Sequence, residues 1–252
     1  MKIGVLFCAY RNINTVEDSL RGWLAIKEEG YDVEIAAVSL PFAQFEPKND
    51  DGTQIFLESI KGRLAWLKCG NETVGEECNT RDLAAQALKE KGCDVIILWD
   101  GDEIASKQEL QSIIRFIAAD KFCAWFQFSY KNYVFDETHF LAEPFTPPRA
   151  FRVKVGGLKL GSLIADNLFY YEDAQGQRVS PWHASFRTIP KTVAWIKHLS
   201  WLDDSRAREK IAYQQLHIPK GCPFLIDKDG KMNWNESYFL TSGERIPIVE
   251  KQ

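Results

Sequence analysis

Three acids fall within four residues at Asp100-Gly101-Asp102-Glu103, directly after the apolar run Val95-Ile96-Ile97-Leu98-Trp99. Two carboxylates two residues apart can share a divalent cation when the backbone between them turns, and Gly101, lacking a Cβ, permits that turn. Magnesium or manganese held by one or two carboxylates completes its shell with water and substrate phosphates. The chemistry served by this D-x-D spacing is therefore metal-assisted handling of a diphosphate. Chance acids also end strands, because strands emerge into solvent, so the surrounding elements decide between the two readings.

Those elements alternate. Residues 3–9 form an apolar strand, and Thr15-Val16-Glu17-Asp18 reads as an N-cap with an acid at the third helical position, opening a helix to about residue 29. Residues 33–40 read as a second strand, and residues 53–67 carry Ile55, Phe56, Ile60, Leu64 and Leu67 near helical spacing. A further helix begins near Asn79 and stops at Gly92, a usual residue just past a helix end. Residues 95–99 are a continuous apolar run, as in a parallel strand buried on both faces, and Ser106 with Glu109 forms a capping box for the next helix. This order predicts a Rossmann-type, mostly parallel α/β sheet flanked by helices, with the acids just past the carboxyl end of one strand, where such sheets keep their ligands.

Beyond residue 120 the pattern turns mixed and β-rich. Residues 122–128, 132–135, 151–155, 168–171 and 193–201 are strand-like, a charged helix is expected over 203–215, and the last 35 or so residues read as a tail. The expected organisation is a single domain: an α/β half (1–120), a mixed, β-rich half (121–218) and a C-terminal tail (219–252).

The composition narrows the field. With 252 residues, 45% of them hydrophobic, the chain buries a large core, and a net charge of −4 gives no basic field for nucleic acid. The aromatic share of 13% favours a rich core over sugar-stacking walls. Cys8, Cys69, Cys78, Cys93, Cys123 and Cys222 include no C-x-x-C pair and read as free thiols in a reducing, cytoplasmic setting. No apolar run reaches the roughly 18 residues of a membrane span. There is no G-x-S-x-G, G-x-G-x-x-G or G-x-x-x-x-G-K-[ST] to support a hydrolase elbow, a dinucleotide fold or a P-loop.

The succession MKIGVLFCAYRN, ECNTRDLAAQAL and GCDVIILWDGDE resembles GT-A fold glycosyltransferases, especially the large family 2 class that uses nucleotide-sugar donors. The resemblance covers roughly residues 1–120, and it lies in the order and spacing of three individually loose motifs. It implies a metal-dependent transfer of sugar from a nucleoside-diphosphate sugar to a glycan or other hydroxyl acceptor, with Mn2+ or Mg2+. It also implies residue roles: Ala9, Tyr10 and Arg11 line the nucleotide pocket, Arg81 approaches the base or diphosphate, and Asp100 and Asp102 meet the ribose and the metal, with Glu103 a helper or a helix-leading acid. Arg81 reads equally as an ordinary helix-surface arginine.

Where family members carry an Asp-Asp-Gly-Ser type turn directly after the second strand, this chain has Ser39-Leu40-Pro41, and Asp50-Asp51-Gly52-Thr53 follows about ten residues later. The preferred reading of that segment is a turn before the next helix. A histidine completes the metal site in many such enzymes; His198 is the candidate and His183 the reserve. An inverting transferase needs a carboxylate base, and Asp166 is chosen from Asp136, Glu137, Glu143, Asp166, Glu172 and Asp173. Arg206-Ala207-Arg208-Glu209-Lys210 reads as a solvated helix face or as a neutraliser of the departing diphosphate. Two rivals stand beside this reading: a sugar nucleotidyltransferase, which would want a Gly-rich basic loop after the first strand, and a non-catalytic carbohydrate-binding protein on the same fold.

Overall fold

The structure, a computed structural model, describes residues 1–41, 50–73, 77–134, 138–141, 146–165, 168–201, 224–226, 232–234 and 248–250. Its elements begin β1 (Ile3–Cys8), α1 (Val16–Glu28), β2 (Val33–Ser39), α2 (Thr53–Ser59), β3 (Trp66–Cys69), α3 (Glu77–Glu90), β4 (Val95–Asp100), β5 (Glu103–Ile104) and α4 (Lys107–Ala119). They continue with β6 (Trp125–Phe128), β7 (Tyr130–Val134), β8 (His139–Leu141), β9 (Pro148–Arg152), β10 (Lys154–Val155), β11 (Leu158–Ala165), β12 (Leu168–Glu172) and β13 (Arg178–Val179). The last are β14 (Phe186–Ile189), β15 (Ile196–Trp201), β16 (Phe224–Ile226), β17 (Met232–Trp234) and β18 (Ile248–Glu250). Two compact units divide the chain, Met1–Ser129 with Thr146–Ile196, and Tyr130–Phe145 with Lys197–Gln252.

The first unit is built on a seven-stranded sheet in the order β14-β6-β9-β4-β1-β2-β3. Only β9 runs against its neighbours; the β1-β2, β1-β4, β2-β3 and β6-β14 pairs are parallel. Every residue of β1 and all of β4 before Asp100 are buried, which explains why both read as unbroken apolar runs. Helix α1 buries Val16, Leu20, Trp23, Leu24 and Ile26, and the Trp23 ring meets the Trp99 ring edge-on at 5.3 Å. Helix α4 packs its Leu110, Ile113, Ile114 and Ile117 face inward. Gly22 of α1 lets these helices approach, since a Cβ there would stand 2.8 Å from the Leu110 side chain and 2.9 Å from the Ala105 carbonyl.

A small antiparallel sheet, β10-β11-β12-β13, lies over α3. Asp82 accepts from the Leu163 N–H at 3.3 Å, and Lys89 donates to the Gly161 carbonyl at 2.5 Å. Among the described residues Trp23, Trp99, Trp125, Phe7, Phe126, Phe128, Phe151 and Phe169 are fully buried in the core, whereas Phe122, Trp182 and Phe186 are exposed.

The helix expected over 53–67 ends early. It covers only Thr53–Ser59; a 3-10 turn follows at Lys61–Arg63, and Leu64 turns extended. Leu64 and Leu67 carry helical spacing, but Trp66–Cys69 gains backbone partners by lying parallel to β2 as the sheet edge. In the second unit, β8 lies between β18 and β7. The Lys131 ammonium sits 3.8 Å from the Phe140 ring centroid. The helix expected over 203–215 and its basic run lie outside the described residues.

Candidate functional site

The carboxyl ends of β1 and β4 form one platform, because the strands run parallel with Cys8 opposite Asp100. The D-G-D turn is fastened there by its backbone. The Gly101 N–H donates to the Cys8 carbonyl at 2.8 Å, the Thr15 hydroxyl donates to the Gly101 carbonyl at 2.6 Å, and the Ser19 hydroxyl to the Asp100 carbonyl at 2.9 Å. Thr15 does occupy the N-cap of α1, but its side chain makes no cap bond; the hydroxyl is spent on the turn instead. Gly101 also acts differently from the expectation. Its φ is not positive; what requires glycine is crowding, since a Cβ would lie 2.7 Å from Ala9 Cβ and 2.9 Å from Asn12 Cγ.

The loop after β1 carries Ala9, buried, and Tyr10 and Arg11, both half-buried. Arg11 holds φ 56°, the only non-glycine among the described residues in the left-handed region. The loop is tied to the segment before α2: Thr53 Oγ1 accepts from the Asn12 N–H at 2.7 Å, and Asp51 accepts from the Ile13 N–H at 3.1 Å. Asp50 accepts from the Gln54 N–H at 2.9 Å, and Gly52, at φ 107°, is the N-cap position of α2. Asp50-Asp51-Gly52-Thr53 is thus a turn that starts a helix and braces the β1 loop.

The side chains at the end of β4 form a line of alternating charge. Glu77 and Arg81, one turn apart on α3, are ion-paired. Arg81 Nη2 then meets Asp100 Oδ1 at 2.6 Å, Asp100 Oδ2 meets Arg149 Nη2 at 3.1 Å, and the same Arg149 nitrogen meets Glu103 Oε1 at 2.6 Å. Glu103 Oε2 accepts from the Asp100 N–H at 3.1 Å, and the Trp99 indole N–H donates to the Glu103 carbonyl at 2.9 Å.

Arg81, Asp102 and Arg149 are each 4% exposed and Glu103 not at all, and the two buried guanidiniums keep their charge because carboxyl groups face them. Burial works to lower the Arg81 guanidinium, but Asp100 and Glu77 outweigh it and hold it well above its ordinary value. Burial pushes the Glu103 carboxyl up to about 8; Arg149 opposes the rise, and the Asp100 and Asp102 charges add to it. Behind the turn, burial pushes the Cys8 thiol up to about 12.

The structure therefore brings Ala9, Tyr10, Arg11, Arg81, Asp100 and Asp102 to one end of one sheet. His198 belongs to the second unit, where its Nδ1 lies 2.5 Å from Asn132 Oδ1 and its ring 5.5 Å from that of Tyr130. An amide oxygen only accepts, so Nδ1 donates. Asp166 lies outside the described residues, as do Asp136, Glu137 and Glu143. Asp173 accepts from the N–H groups of Gln175 and Gln177, at 2.9 and 2.8 Å, in the turn after β12. His183 is exposed in a 3-10 turn. Among the described residues no three His, Cys, Asp or Glu side chains gather as a protein-only metal site.

Sequence reasoning missed Arg149 and Glu77. For Glu77 the i, i+4 spacing to Arg81 was an available signal; Arg149 had none, because only the antiparallel insertion of β9 beside β4 brings it to the turn.

Solved structures of one protein, S. aureus TarS, are among those that share this architecture. The crystal structure of S. aureus TarS 1-349 matches with a TM-score of 0.51 and 14% identity, over 86% of this chain and 64% of that one. TarS 1-349 in complex with UDP-GlcNAc matches with a TM-score of 0.53 and 14% identity, over 86% and 65%. The fold is GT-A-like. This chain thus spans just under two thirds of the length of the TarS structures it matches. No family model and no curated protein matches it. Among the described residues no helix of this GT-A-like chain is long and apolar enough to cross a membrane.

Proposed function

We propose that this chain is a glycosyltransferase that moves a sugar from a nucleoside-diphosphate sugar to an acceptor hydroxyl with the help of Mg2+ or Mn2+. The observation that carries the reading is the D-G-D turn, fastened to the β1 loop and backed by buried Arg81, at the carboxyl end of the central strands of a GT-A-like sheet. One TarS structure holds UDP-GlcNAc, which makes a uridine diphosphate sugar the first donor to try.

The donor set suits a metal that arrives with its substrate. Asp100 faces two guanidiniums, and Asp100 and Asp102 are the carboxylates of the turn that would meet a nucleotide-bound cation, diphosphate oxygens and water filling the remaining positions. Such a metal would neutralise charge developing on the departing diphosphate. Arg81 adds a fixed positive charge behind the turn. Asp166 is the proposed base for the acceptor hydroxyl. The five described cysteines are free thiols, which suits a cytoplasmic setting.

A panel of nucleotide sugars incubated with the protein and Mn2+ tests this reading through released nucleoside diphosphate. At least one donor is expected to be hydrolysed, with activity lost on chelation. If no donor turns over and none gives a metal-dependent rise in melting temperature, the enzyme reading fails. Metal-dependent donor binding without turnover would favour the carbohydrate-binding rival.

A further inference from the structure

A cavity of about 570 Å3 lies at the end of the first unit's sheet opposite the D-G-D turn. Met1, Cys93 and Asp94 line it just ahead of β1 and β4, the strands whose carboxyl ends carry the turn. Six residues of each strand separate the two ends, about 20 Å at the usual rise.

Four cationic side chains line this cavity: Lys89 at the end of α3, Lys121 after α4, Arg152 at the end of β9 and Lys154 in β10. Asp94 is the one carboxylate among the described residues of the lining, and its Oδ2 already accepts the Lys2 backbone N–H at 2.7 Å. Among the described residues none of the four cations forms an ion pair. In a chain of net charge −4, composition alone does not gather them.

Arg152 is buried, 9% exposed. Its Nε donates to the Cys123 carbonyl at 3.0 Å, and its Nη2 to the Ile117 and Asp120 carbonyls, each at 2.6 Å. Those bonds cover the negatively polarised end of α4, which would otherwise repel an anion. They leave Nη1 with the Met1 thioether alone, at 3.9 Å, and a thioether is a weak acceptor. A buried guanidinium nitrogen with neither an oxygen acceptor nor a counter-charge is unusual, and a phosphate oxygen supplies both. Lys89 is half-buried and donates to the Gly161 carbonyl; burial holds its ammonium below the ordinary value, a cost that a bound anion offsets. Lys121 and Lys154 are exposed, on flexible stems that can close over a ligand.

We propose that this cavity is an anion site for a phosphate-bearing ligand, with Arg152 Nη1 as the recessed donor and Lys89, Lys121 and Lys154 as the surrounding charge. Its volume suits a phosphorylated small molecule, and a lipid phosphate head group offers the same chemistry. The site is distinct from the D-G-D turn and does not depend on the nucleotide-sugar reading.

The test titrates inorganic pyrophosphate calorimetrically onto the full chain at low salt, with EDTA present so that no divalent cation recruits it to the turn. The wild type is expected to bind. Replacing both exposed lysines, Lys121→Ala with Lys154→Ala, should weaken binding about tenfold, and Arg152→Lys, which loses the forked donor, by a similar factor. The lysine pair carries the test if Arg152→Lys fails to fold. Lys61→Ala, at an exposed lysine in the 3-10 turn after α2, should leave the affinity within about twofold.

A second arm sediments the protein with phosphatidylcholine vesicles with and without phosphatidic acid. Sedimentation that needs phosphatidic acid and is competed by pyrophosphate assigns the site to a lipid head group; pyrophosphate binding without sedimentation assigns it to a soluble ligand. No pyrophosphate binding by the wild type overturns the site, whatever the vesicles do. So does equal weakening by Lys61→Ala, or unchanged affinity in the folded Lys121, Lys154 and Arg152 variants.

Discussion

Crowding fixes Gly101 more tightly than backbone conformation does. A methyl group there must push against Ala9 Cβ at 2.7 Å and the Asn12 side chain, both in the loop that follows β1. Gly101→Ala is therefore expected to cost about 1–3 kcal/mol in chemical denaturation and to weaken UDP binding by displacing Ala9-Tyr10-Arg11. Unchanged stability and unchanged affinity would mean that the loop yields freely. The identity of residue 101 was readable from the sequence, whereas its reason was not, since the spacing of two acids carries no information about what packs across from them. Arg149 lay further from reach: forty-nine positions separate it from Asp100, and only the antiparallel placement of β9 brings the two together.

Helix starts divide instructively between α1 and α4. At α4 the capping box is complete, with Ser106 Oγ accepting the Glu109 N–H at 3.2 Å and Glu109 accepting the Ser106 N–H at 2.8 Å. Ser106→Ala is expected to lower stability by about 0.5–2 kcal/mol, read as a fall in the denaturation midpoint with unchanged slope. Thr15 looks the same in sequence, yet its hydroxyl serves Gly101. Local pattern located both caps, and tertiary competition decided what each hydroxyl does. The same limit explains the misread 53–67 segment. Its helical spacing was real, but β2 had an open edge, and Trp66–Cys69 satisfies its backbone there. Alternation from β1 to α4 was legible because buried parallel strands and amphipathic helices differ in period. The later strands were less so: β8, β11, β13, β14, β16, β17 and β18 had no counterpart in the pattern, and the others shifted by a few residues, since short antiparallel strands leave brief patterns.

The first unit hides three of its described thiols, Cys8, Cys93 and Cys123, and leaves Cys69 and Cys78 partly exposed. Burial pushes Cys8 up to about 12 and Cys93 up to about 11, from an ordinary 9.0, so the reactive thiolate is scarce at pH 8 while the unit is folded. Unfolding restores the ordinary value. Iodoacetamide labelling of Cys8 at pH 8 is expected to be slower than in denaturant by on the order of a thousandfold from ionisation alone, and to quicken as the pH rises toward 12. Mass spectrometry of the labelled peptides checks this, and rapid labelling of native Cys8 at pH 8 would contradict the burial. The five described cysteines are free thiols, three of them buried.

Arg11 carries a consequence for anyone who improves this protein by selection. A left-handed non-glycine residue costs about 1–2 kcal/mol relative to glycine, so a screen that rewards heat resistance alone will enrich Arg11→Gly. The winners of that screen would have discarded a cationic side chain from the loop beside the acids. Libraries sorted by survival and libraries sorted by donor capture should part company at position 11 first.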